Sequence, residues 1–202
     1  TTAEKIAYDE ARKYYLSFIR TRNIPIGRKN GWQQFIIRAS KSPQGLKALK
    51  CHREQKKIAQ SAQNKFSEIW KLLTKHAHDS LIIFTEYNDM AYKIGQRFIL
   101  PVITHKSKTK ERKKFLEHFR AGKLKVLVTS KVLNEGIDVP EARVAIVVSG
   151  SSAVREHVQR LGRILRNTPG KRAIMYEIIT QDTNEIYVHE RRRQHDAYQE
   201  AP

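Results

Sequence analysis

The sequence from residue 76 to residue 202 predicts an α/β fold in which helices cover both faces of a parallel sheet. After Ser80, short apolar runs alternate with amphipathic stretches, a pattern typical of parallel strands joined by crossover helices. Residues 1–75 differ, because their composition favours helices and carries more than half of the excess positive charge. Together these observations predict a basic helical subdomain over residues 1–75 and a sheet domain over residues 76–202.

Three helices are predicted in residues 1–75. The first has a helix-forming composition and ends before the helix breakers Pro25 and Gly27. The third is amphipathic, since Phe66, Ile69 and Leu73 fall on or near one face of it. The predicted helices span Ala3–Arg22, Trp32–Ala39 and Leu46–Leu73, and Ser42–Gly45 is predicted to be a turn.

Five strands, with helices among them, are predicted after Ser80. The strands span Leu81–Thr85, Leu100–Thr104, Lys125–Thr129, Arg143–Ser149 and Arg172–Thr180. The helices span Asn88–Phe98 with Asn88 as its cap, Thr109–Arg120, Ala153–Leu165 and the residues from Asp182 onward. Ligands of parallel α/β sheets bind at the carboxyl ends of the strands. Polar residues follow the predicted strands, so we expect a binding site at that edge.

Charge is the strongest signal in the composition. The chain has 39 Lys and Arg residues against 20 Asp and Glu residues, a formal net charge of +19. Residues 1–75 hold 17 of the basic and 5 of the acidic residues, and no acidic residue lies between Glu10 and Glu54. Such an excess favours a polyanionic partner, nucleic acid before a membrane surface, although a charge that only aids solubility is the simpler alternative.

Aromatic residues in this basic stretch offer two interpretations. Aromatic rings can stack on nucleic-acid bases while basic groups bind the phosphates. Tyr15, Phe18 and Ile19, however, have the spacing of a helix face that is buried in a core. The aromatic residues concerned are Tyr14, Tyr15, Phe18, Trp32 and Phe35.

Composition also excludes several classes of protein. Hydrophobic residues make up 40% and charged residues 29% of the chain, which indicates a folded domain and not a disordered chain. No apolar run approaches the ~18 residues that span a bilayer, and the charged start of the chain does not fit a secretion signal. The single Cys51 rules out a disulfide framework and fits a reducing, intracellular setting. Within the cell, we expect a cytoplasmic location in an archaeon or bacterium and a nuclear location in a eukaryote. Because Thr1 is not Met, we expect a segment of a longer protein.

The segment Gln159–Arg166 carries the sharpest chemical signal. On a helix, Gln159, Arg163 and Arg166 fall at positions i, i+4 and i+7, which places them on one face. Two guanidinium groups on one face suit a phosphate whose negative charge rises in a transition state. A solvated basic helix would have the same spacing, so the spacing alone leaves both interpretations open.

A second segment, Val128–Pro140, leaves a strand and presents the hydroxyl groups of Thr129 and Ser130. Hydroxyl groups and backbone amides can hold a nucleic-acid phosphate. The chain then turns at Gly136, and Asp138 lies between apolar neighbours, where its carboxylate could accept a ribose hydroxyl proton. The simpler alternative makes Asp138 a turn residue.

The run from Leu81 to about Glu177 resembles the second RecA-like lobe of superfamily-two helicases. Motifs four, five and six of that lobe occur in order at Leu81–Asn88, Thr129–Pro140 and Gln159–Arg166. The resemblance is strongest to the xeroderma pigmentosum group B helicase family in its archaeal form, because Ser149–Glu156 leads directly into motif six and Arg191–Arg193 follows near the end. The basic helical part resembles the thumb-like insert of that family.

The resemblance implies an ATP-driven DNA helicase that moves three-prime to five-prime and acts in nucleotide excision repair and in transcription. It implies that Arg163 and Arg166 are arginine fingers on the γ-phosphate of ATP. The implied nucleotide-binding residues are Gln159, which would orient that network, and Gly136 and Asp138, which would border the nucleotide. The implied DNA-binding residues are Thr85, Thr104, Thr129 and Ser130.

The implied cofactors are ATP and Mg²⁺, with the metal ligands on a first RecA-like lobe outside this chain. The implied partners are duplex or forked DNA, that first lobe, and a repair nuclease or transcription-repair proteins, and no membrane is implied. Two alternatives stay open, a non-enzymatic nucleic-acid-binding module and the corresponding lobe of an RNA helicase. Motif six favours the motor lobe over the binding module, which has no need of two guanidinium groups opposite a nucleotide.

Phosphoryl transfer also needs a phosphate cradle, a metal ion and a carboxylate that orients water. The sequence contains no glycine-rich phosphate-binding loop with its lysine and hydroxyl, and no acidic run suited to magnesium. His76–His78 and Cys51–His52 lack the partners and spacing of a zinc site, so no metal ligand is assigned. We therefore expect this chain to supply half of an active site and to hydrolyse no ATP on its own.

Overall fold

The computed structural model describes residues 1–130, 142–148 and 174–193. Within these residues the chain forms seven α-helices and five β-strands. The helices are α1 (Thr2–Thr21), α2 (Gly31–Ala39), α3 (Pro43–Gln60), α4 (Asn64–Lys75), α5 (Asn88–Phe98), α6 (Thr109–Arg120) and α7 (Glu185–Arg193). The strands are β1 (Leu81–Phe84), β2 (Val102–Ile103), β3 (Val126–Thr129), β4 (Val144–Val147) and β5 (Ile174–Glu177). The chain divides into two compact units, Thr1–Ala62 and Gln63–Pro202.

The first unit is built from α1, α2 and α3. Tyr15 and Phe18 of α1 pack on Phe35 of α2, and the rings of Tyr15 and Phe35 meet edge to face with their centroids 5.3 Å apart. Ala48 and Cys51 of α3 complete this core. The helical spacing of Tyr15 and Phe18 therefore reflects a buried helix face, as one of the two interpretations predicted.

The single long helix predicted over Leu46–Leu73 is wrong, because two helices, α3 and α4, occupy that region. The predicted turn at Ser42–Gly45 is also wrong, since it forms the start of α3. The Ser42 hydroxyl accepts a hydrogen bond from the Gly45 amide at 3.1 Å, and Pro43 takes the first helical position. A Cβ added at Gly45 would lie 2.2 Å from a backbone carbonyl oxygen of α2, so the close approach of α2 and α3 requires glycine there.

The division between the two units falls after Ala62, whereas the composition predicts a boundary after residue 75. Helix α4 accounts for the difference. Its buried residues Phe66 and Ile69 share an apolar cluster with Leu81 and Ile83 of β1. Burial of these side chains places α4 in the second unit, although its charge resembles that of the first.

The second unit contains a parallel sheet with the strand order β2-β3-β1-β4-β5. Leu81 of β1 is aligned with Val126 of β3 on one side and with Val144 of β4 on the other. The strands at the centre are apolar throughout, as expected for strands that are buried on both faces. Because every neighbouring pair is parallel, the five described strands all end at the same edge.

Helices cover both faces of the sheet. On one face, Ile83 shares an apolar cluster with Ile69 of α4 and Ile94 of α5. On the other face, Phe84 packs in a cluster with Phe119 of α6. The predicted parallel sheet with helices on both faces is therefore confirmed. Within the part of the chain that the structure describes, every helix is too short or too polar to cross a bilayer.

Candidate functional site

Three neighbouring strands end in hydroxyl residues that the sequence identified. Thr104 follows β2, Ser130 follows β3 and Thr85 follows β1, which is the order of these strands in the sheet. The Thr85 amide donates a hydrogen bond to the carbonyl oxygen of Thr129, the last residue of β3, at 2.9 Å. The Ser130 amide donates to the carbonyl oxygen of Ile103 at 3.2 Å. The four predicted DNA-binding residues therefore lie side by side at the carboxyl edge of the sheet.

The threonine hydroxyls at this edge hold the chain as it leaves the strands. The Thr85 hydroxyl donates to the carbonyl oxygen of Tyr87 at 2.9 Å, and the Thr129 hydroxyl donates to that of Ser130 at 3.0 Å. The Thr104 hydroxyl shares a hydrogen bond of 2.8 Å with the Tyr92 hydroxyl and accepts one from a backbone amide in the next turn. These bonds fix the first residues after β1 and β2 and orient the carbonyl group of Ser130 after β3.

Ser130 differs from the three threonines. Its side-chain oxygen is buried and finds no hydrogen-bond partner among the described residues. The residue as a whole is 3% exposed. Since buried polar atoms are nearly always paired, the Ser130 hydroxyl is the member of the set with unused hydrogen-bonding capacity within the described structure.

Exposed side chains border the buried hydroxyls, and the sequence reasoning missed them. The side-chain amide nitrogen of Asn88 lies 2.9 Å from Nδ1 of His105, which links the loop after β1 to the loop after β2. Tyr87 and His105 are exposed. Asn88, predicted as a helix cap, is instead the first residue of α5, and Tyr87 precedes the helix. Their positions in the sequence could have indicated them, because each lies one to three residues after a predicted DNA-contact residue.

A buried ion pair lies at the end of β4. Lys65 of α4 is 3% exposed, and its ammonium nitrogen lies 2.7 Å from Glu185 Oε2. The same nitrogen donates to the carbonyl oxygen of Val148 at 2.7 Å. Glu185, at the start of α7, also accepts a hydrogen bond from the Thr180 amide at 2.8 Å. The pair therefore connects the end of β4, the residues after β5 and two helices.

The residues expected to contact the nucleotide lie outside the described residues. Val148 is the last described residue before residues 149–173, which contain Gln159, Arg163 and Arg166. Gly136 and Asp138 lie in residues 131–141, which are also outside the description. Within the described ranges, no three His, Cys, Asp or Glu side chains are placed to hold a metal ion. The described part of the site is thus the part that the sequence analysis assigns to DNA.

The first unit carries two surface grooves, of about 530 and 460 Å³, that share Thr21 in their walls. The grooves lie along α1 and between the ends of α1 and α2. The two grooves together hold six cationic residues, and we call this joint surface the basic groove. The cationic residues are Arg12, Lys13 and Arg20 in the larger groove and Arg22, Arg38 and Lys41 in the smaller. Asp9 is the only carboxylate among the residues that line either one, so the surface attracts anions.

Comparison with known proteins identifies relatives of this chain. A DNA 3'-5' translocase XPB2 from Sulfurisphaera tokodaii is 36% identical over 194 residues, which cover 96% of this chain and 44% of that protein. A DNA 3'-5' helicase XPB from Mycobacterium tuberculosis is 37% identical over 132 residues, which cover 64% of this chain and 24% of that protein. The chain therefore spans less than half the length of either relative.

A solved structure and a family model lead to the same assignment as these relatives. The solved C-terminal domain of the DEAD-box protein Dbp5 superposes with a TM-score of 0.60 at 20% identity, over 67% of this chain and 80% of that domain. At this identity the likeness shows the fold alone, a RecA-like lobe. Residues 46–199, more than half of the chain, match the family model described as ERCC3/RAD25/XPB C-terminal helicase. The chain belongs to the ERCC3/RAD25/XPB C-terminal helicase family.

Proposed function

We propose that this chain is the C-terminal motor lobe of an ATP-dependent DNA 3'-5' translocase or helicase. The names of the Sulfurisphaera and Mycobacterium relatives, a DNA 3'-5' translocase and a DNA 3'-5' helicase, support the direction and the substrate. The resemblance to the xeroderma pigmentosum group B family extends the proposal to nucleotide excision repair and to transcription. Such work is intracellular.

One observation carries the proposal, the convergence of hydroxyl residues at the edge where β4 also ends. Thr85, Thr104 and Ser130 lie there on adjacent strands. Because β4 runs parallel to β1, the chain leaves β4 at the same edge, and the Gln159–Arg166 segment follows later in the sequence, outside the described residues. A lobe built in this way can couple a change at a bound phosphate to a movement of its DNA-binding edge.

In the proposed mechanism, the permanently charged guanidinium groups of Arg163 and Arg166 contact the γ-phosphate of ATP. Charge held in position stabilises the negative charge that develops on the transferred group, and an arginine finger contributes about 10³–10⁵ in kcat. Gln159 orients these guanidinium groups, while Gly136 and Asp138 border the nucleotide. Mg²⁺ supplies further charge neutralisation when bound, and its ligands are assigned to the first lobe.

The DNA side of the lobe is assigned to the hydroxyl residues Thr85, Thr104, Thr129 and Ser130. All four residues are buried and the three threonine hydroxyls are hydrogen-bonded within the chain, so we assign the DNA backbone to the edge that they shape. Contacts to phosphate oxygens along this edge would position a strand without reading its sequence, as a translocase requires. When ATP binds, this lobe closes on the first RecA-like lobe, and it reopens after hydrolysis. Each cycle would then advance the edge of the sheet along the DNA backbone.

Residues 1–62 are assigned to a thumb-like subdomain that holds duplex or forked DNA. The basic groove supports this role, because six cations with one carboxylate favour a polyanion. The proposed partners are therefore DNA and the first lobe of the same protein. A repair nuclease or transcription-repair proteins are the further proposed partners.

The test compares the full-length protein, in which this chain is joined to its first lobe, with the 202-residue chain alone. ATP hydrolysis is measured for both with and without DNA. We expect hydrolysis that DNA stimulates in the full-length protein, and DNA binding without hydrolysis in the chain alone. DNA binding without hydrolysis by the full-length protein would support a non-enzymatic binding module instead. Stimulation by RNA and not by DNA would support an RNA helicase lobe.

A further inference from the structure

Trp32 stands apart from the other aromatic side chains of residues 1–62, all of which the structure describes. Its exposed fraction is 45%. Tyr14 is half-buried, with the ammonium group of Lys47 over its ring at 4.6 Å from the centroid. The remaining aromatic side chains are buried, namely Tyr8, Tyr15, Phe18 and Phe35. Of the aromatic residues that the sequence offered for base stacking, Trp32 is therefore the one with a ring surface available to a ligand.

Two other rings support the exposed ring of Trp32. Its centroid lies 4.7 Å from that of His52, at an interplanar angle of 48°, and 5.2 Å from that of Phe35, at 43°. Phe35 has no exposed surface and is a fixed part of the core. Trp32 is thus held in place before any ligand arrives, and little side-chain entropy is lost on binding.

The backbone before Trp32 is also fixed. A Cβ added at Gly31 would lie 2.1 Å from the carbonyl oxygen of Pro25, so α2 begins in direct contact with the preceding loop. The Gly31 amide donates to the carbonyl oxygen of Arg28 at 2.9 Å. These contacts hold the start of α2 against the preceding loop, and Trp32 is the second residue of that helix.

The surroundings of Trp32 combine neutral rings with cations. Burial, with Lys56 and Arg53 nearby, lowers the pKa of His52 to about 4, so its ring is uncharged at neutral pH. Helix α3, which carries His52, has five Lys and Arg residues and a single carboxylate, Glu54. A neutral aromatic surface beside cationic side chains fits a ligand that combines a flat ring with a phosphate.

We propose that Trp32, supported by His52 and Phe35, is a stacking platform for an unpaired base, with Arg53 and Lys56 on the phosphates that flank it. The proposal rests on the proposed DNA-binding function. Inside a duplex the faces of the bases are covered by their neighbours, so this ring is open to a base from an unpaired strand and closed to a base within a duplex. The platform therefore selects the single-stranded part of a fork, which charge alone does not distinguish from duplex.

The experiment uses the two tryptophans of the chain, one in each unit. Trp70→Phe leaves Trp32 as the only tryptophan, and Trp32→Phe leaves Trp70, which is 60% exposed and stacks on Phe98, as the matched control. Each protein is titrated with a short oligothymidylate and with an abasic oligomer of the same length. We expect oligothymidylate to quench Trp32 fluorescence to saturation and the abasic oligomer to leave it nearly unchanged. Trp70 fluorescence should respond equally to both oligomers.

Affinity is measured in parallel with labelled oligomers. Stacking of one base on an aromatic side chain corresponds to about a 5- to 150-fold change in affinity on substitution by alanine. We expect Trp32→Ala to lose that factor for oligothymidylate but not for the abasic oligomer, while Trp32→Phe retains most of the affinity because a ring remains. Because Trp32→Phe changes the same position but keeps a ring, normal binding by this protein would show that substitution at residue 32 does not by itself prevent folding.

Two results would overturn the proposal. Equal affinity for oligothymidylate and the abasic oligomer would show that phosphates alone are bound, while leaving DNA binding itself intact. Unchanged oligothymidylate affinity in Trp32→Ala would place the bases elsewhere, or assign the ring to a protein partner. Failure of the unsubstituted chain to bind any DNA is a different result, because it contradicts the DNA-binding role proposed for residues 1–62 as well.

Discussion

Lys65 and Glu185 form a buried ion pair between residues 120 positions apart, with the ammonium nitrogen 2.7 Å from Oε2. The exposed fractions of their side chains are 3% and 10%. Because the ammonium group also binds the carbonyl oxygen of Val148, the pair fixes the residue from which the chain leaves the sheet toward Gln159 and the two arginines. Its integrity should therefore matter to the stability of the second unit.

Replacing Lys65 should strongly destabilise the second unit. Lys65→Met leaves the Glu185 carboxylate buried without its cation, and breaking a buried pair in this way costs about 3–5 kcal/mol. Urea unfolding of the chain measures the change. The matched control is Lys71→Met, since the Lys71–Glu68 pair is 70% and 52% exposed and such surface pairs contribute about 0.2–1 kcal/mol. A similarly small loss of unfolding free energy in both variants would show that the buried pair stabilises the fold no more than an exposed pair does.

Ser130→Ala should lower DNA affinity without lowering stability. Its buried hydroxyl has no described partner to lose, so the free energy of unfolding should stay the same or rise, by at most about 1–3 kcal/mol. The variant cannot make the predicted hydrogen bond to the DNA backbone, which should weaken binding by about 0.5–1.5 kcal/mol. DNA binding by the full-length protein measures this change, with Ser67→Ala on the exposed side of α4 as the control. Unchanged affinity in Ser130→Ala would remove Ser130 from the DNA-binding set.

The basic groove should govern the salt dependence of DNA binding. Removing a single cation that binds a phosphate reduces the slope of log K against log salt by about 0.7–0.9. Replacing Arg12, Arg20 and Arg38 with Gln should therefore flatten the slope by about 2 if all three bind phosphates. Replacement of the exposed residues Lys110, Lys113 and Lys114 of α6 is the charge-matched control. An equal effect of both triple variants would mean that net charge, and not the groove, determines binding.

The first unit should lose stability as the pH falls. Burial lowers the pKa of His52 from its ordinary 6.5 to about 4, with Lys56 and Arg53 adding to the effect. Between these values the unfolded chain binds a proton that the folded unit does not, so the free energy of unfolding falls as the pH is lowered from about 6.5 to about 4. Trp32 fluorescence in the Trp70→Phe protein can follow urea unfolding across this range. His52→Gln should reduce the pH dependence, whereas replacement of the exposed His78 should not.

The sequence predicted elements well where local signals agree with packing. Helix α6 has the predicted bounds Thr109–Arg120, because its apolar spacing and the turn at Gly122 coincide. The helix predicted over Leu46–Leu73 is wrong because an amphipathic pattern continues across the break, while Ser42 and Pro43 give the earlier start. Asn88 has the residue type of a cap, but its side chain contacts His105, which belongs to a distant loop.

In the candidate site, too, local sequence patterns predicted some features, while tertiary packing determined others. The convergence of Thr85, Thr104 and Ser130 could be predicted, since parallel strands end at one edge. The pairing of Lys65 with Glu185 could not, because no short-range pattern links two residues so far apart in the chain. Trp32 and Phe35 look alike in the sequence, and only tertiary packing distinguishes them, because Tyr15 and Phe18 of α1 pack on Phe35 and bury it.

The most direct test of the motor assignment is the Arg166→Ala variant of the full-length protein, measured for both DNA-stimulated ATP hydrolysis and DNA affinity. An arginine finger on the γ-phosphate predicts a loss of about 10³ or more in kcat with DNA affinity nearly unchanged. Arg143→Ala, on an exposed arginine at the opposite edge of the sheet, should alter neither quantity. Equal loss of hydrolysis and DNA binding in Arg166→Ala, or hydrolysis at the unsubstituted rate, would contradict the assignment.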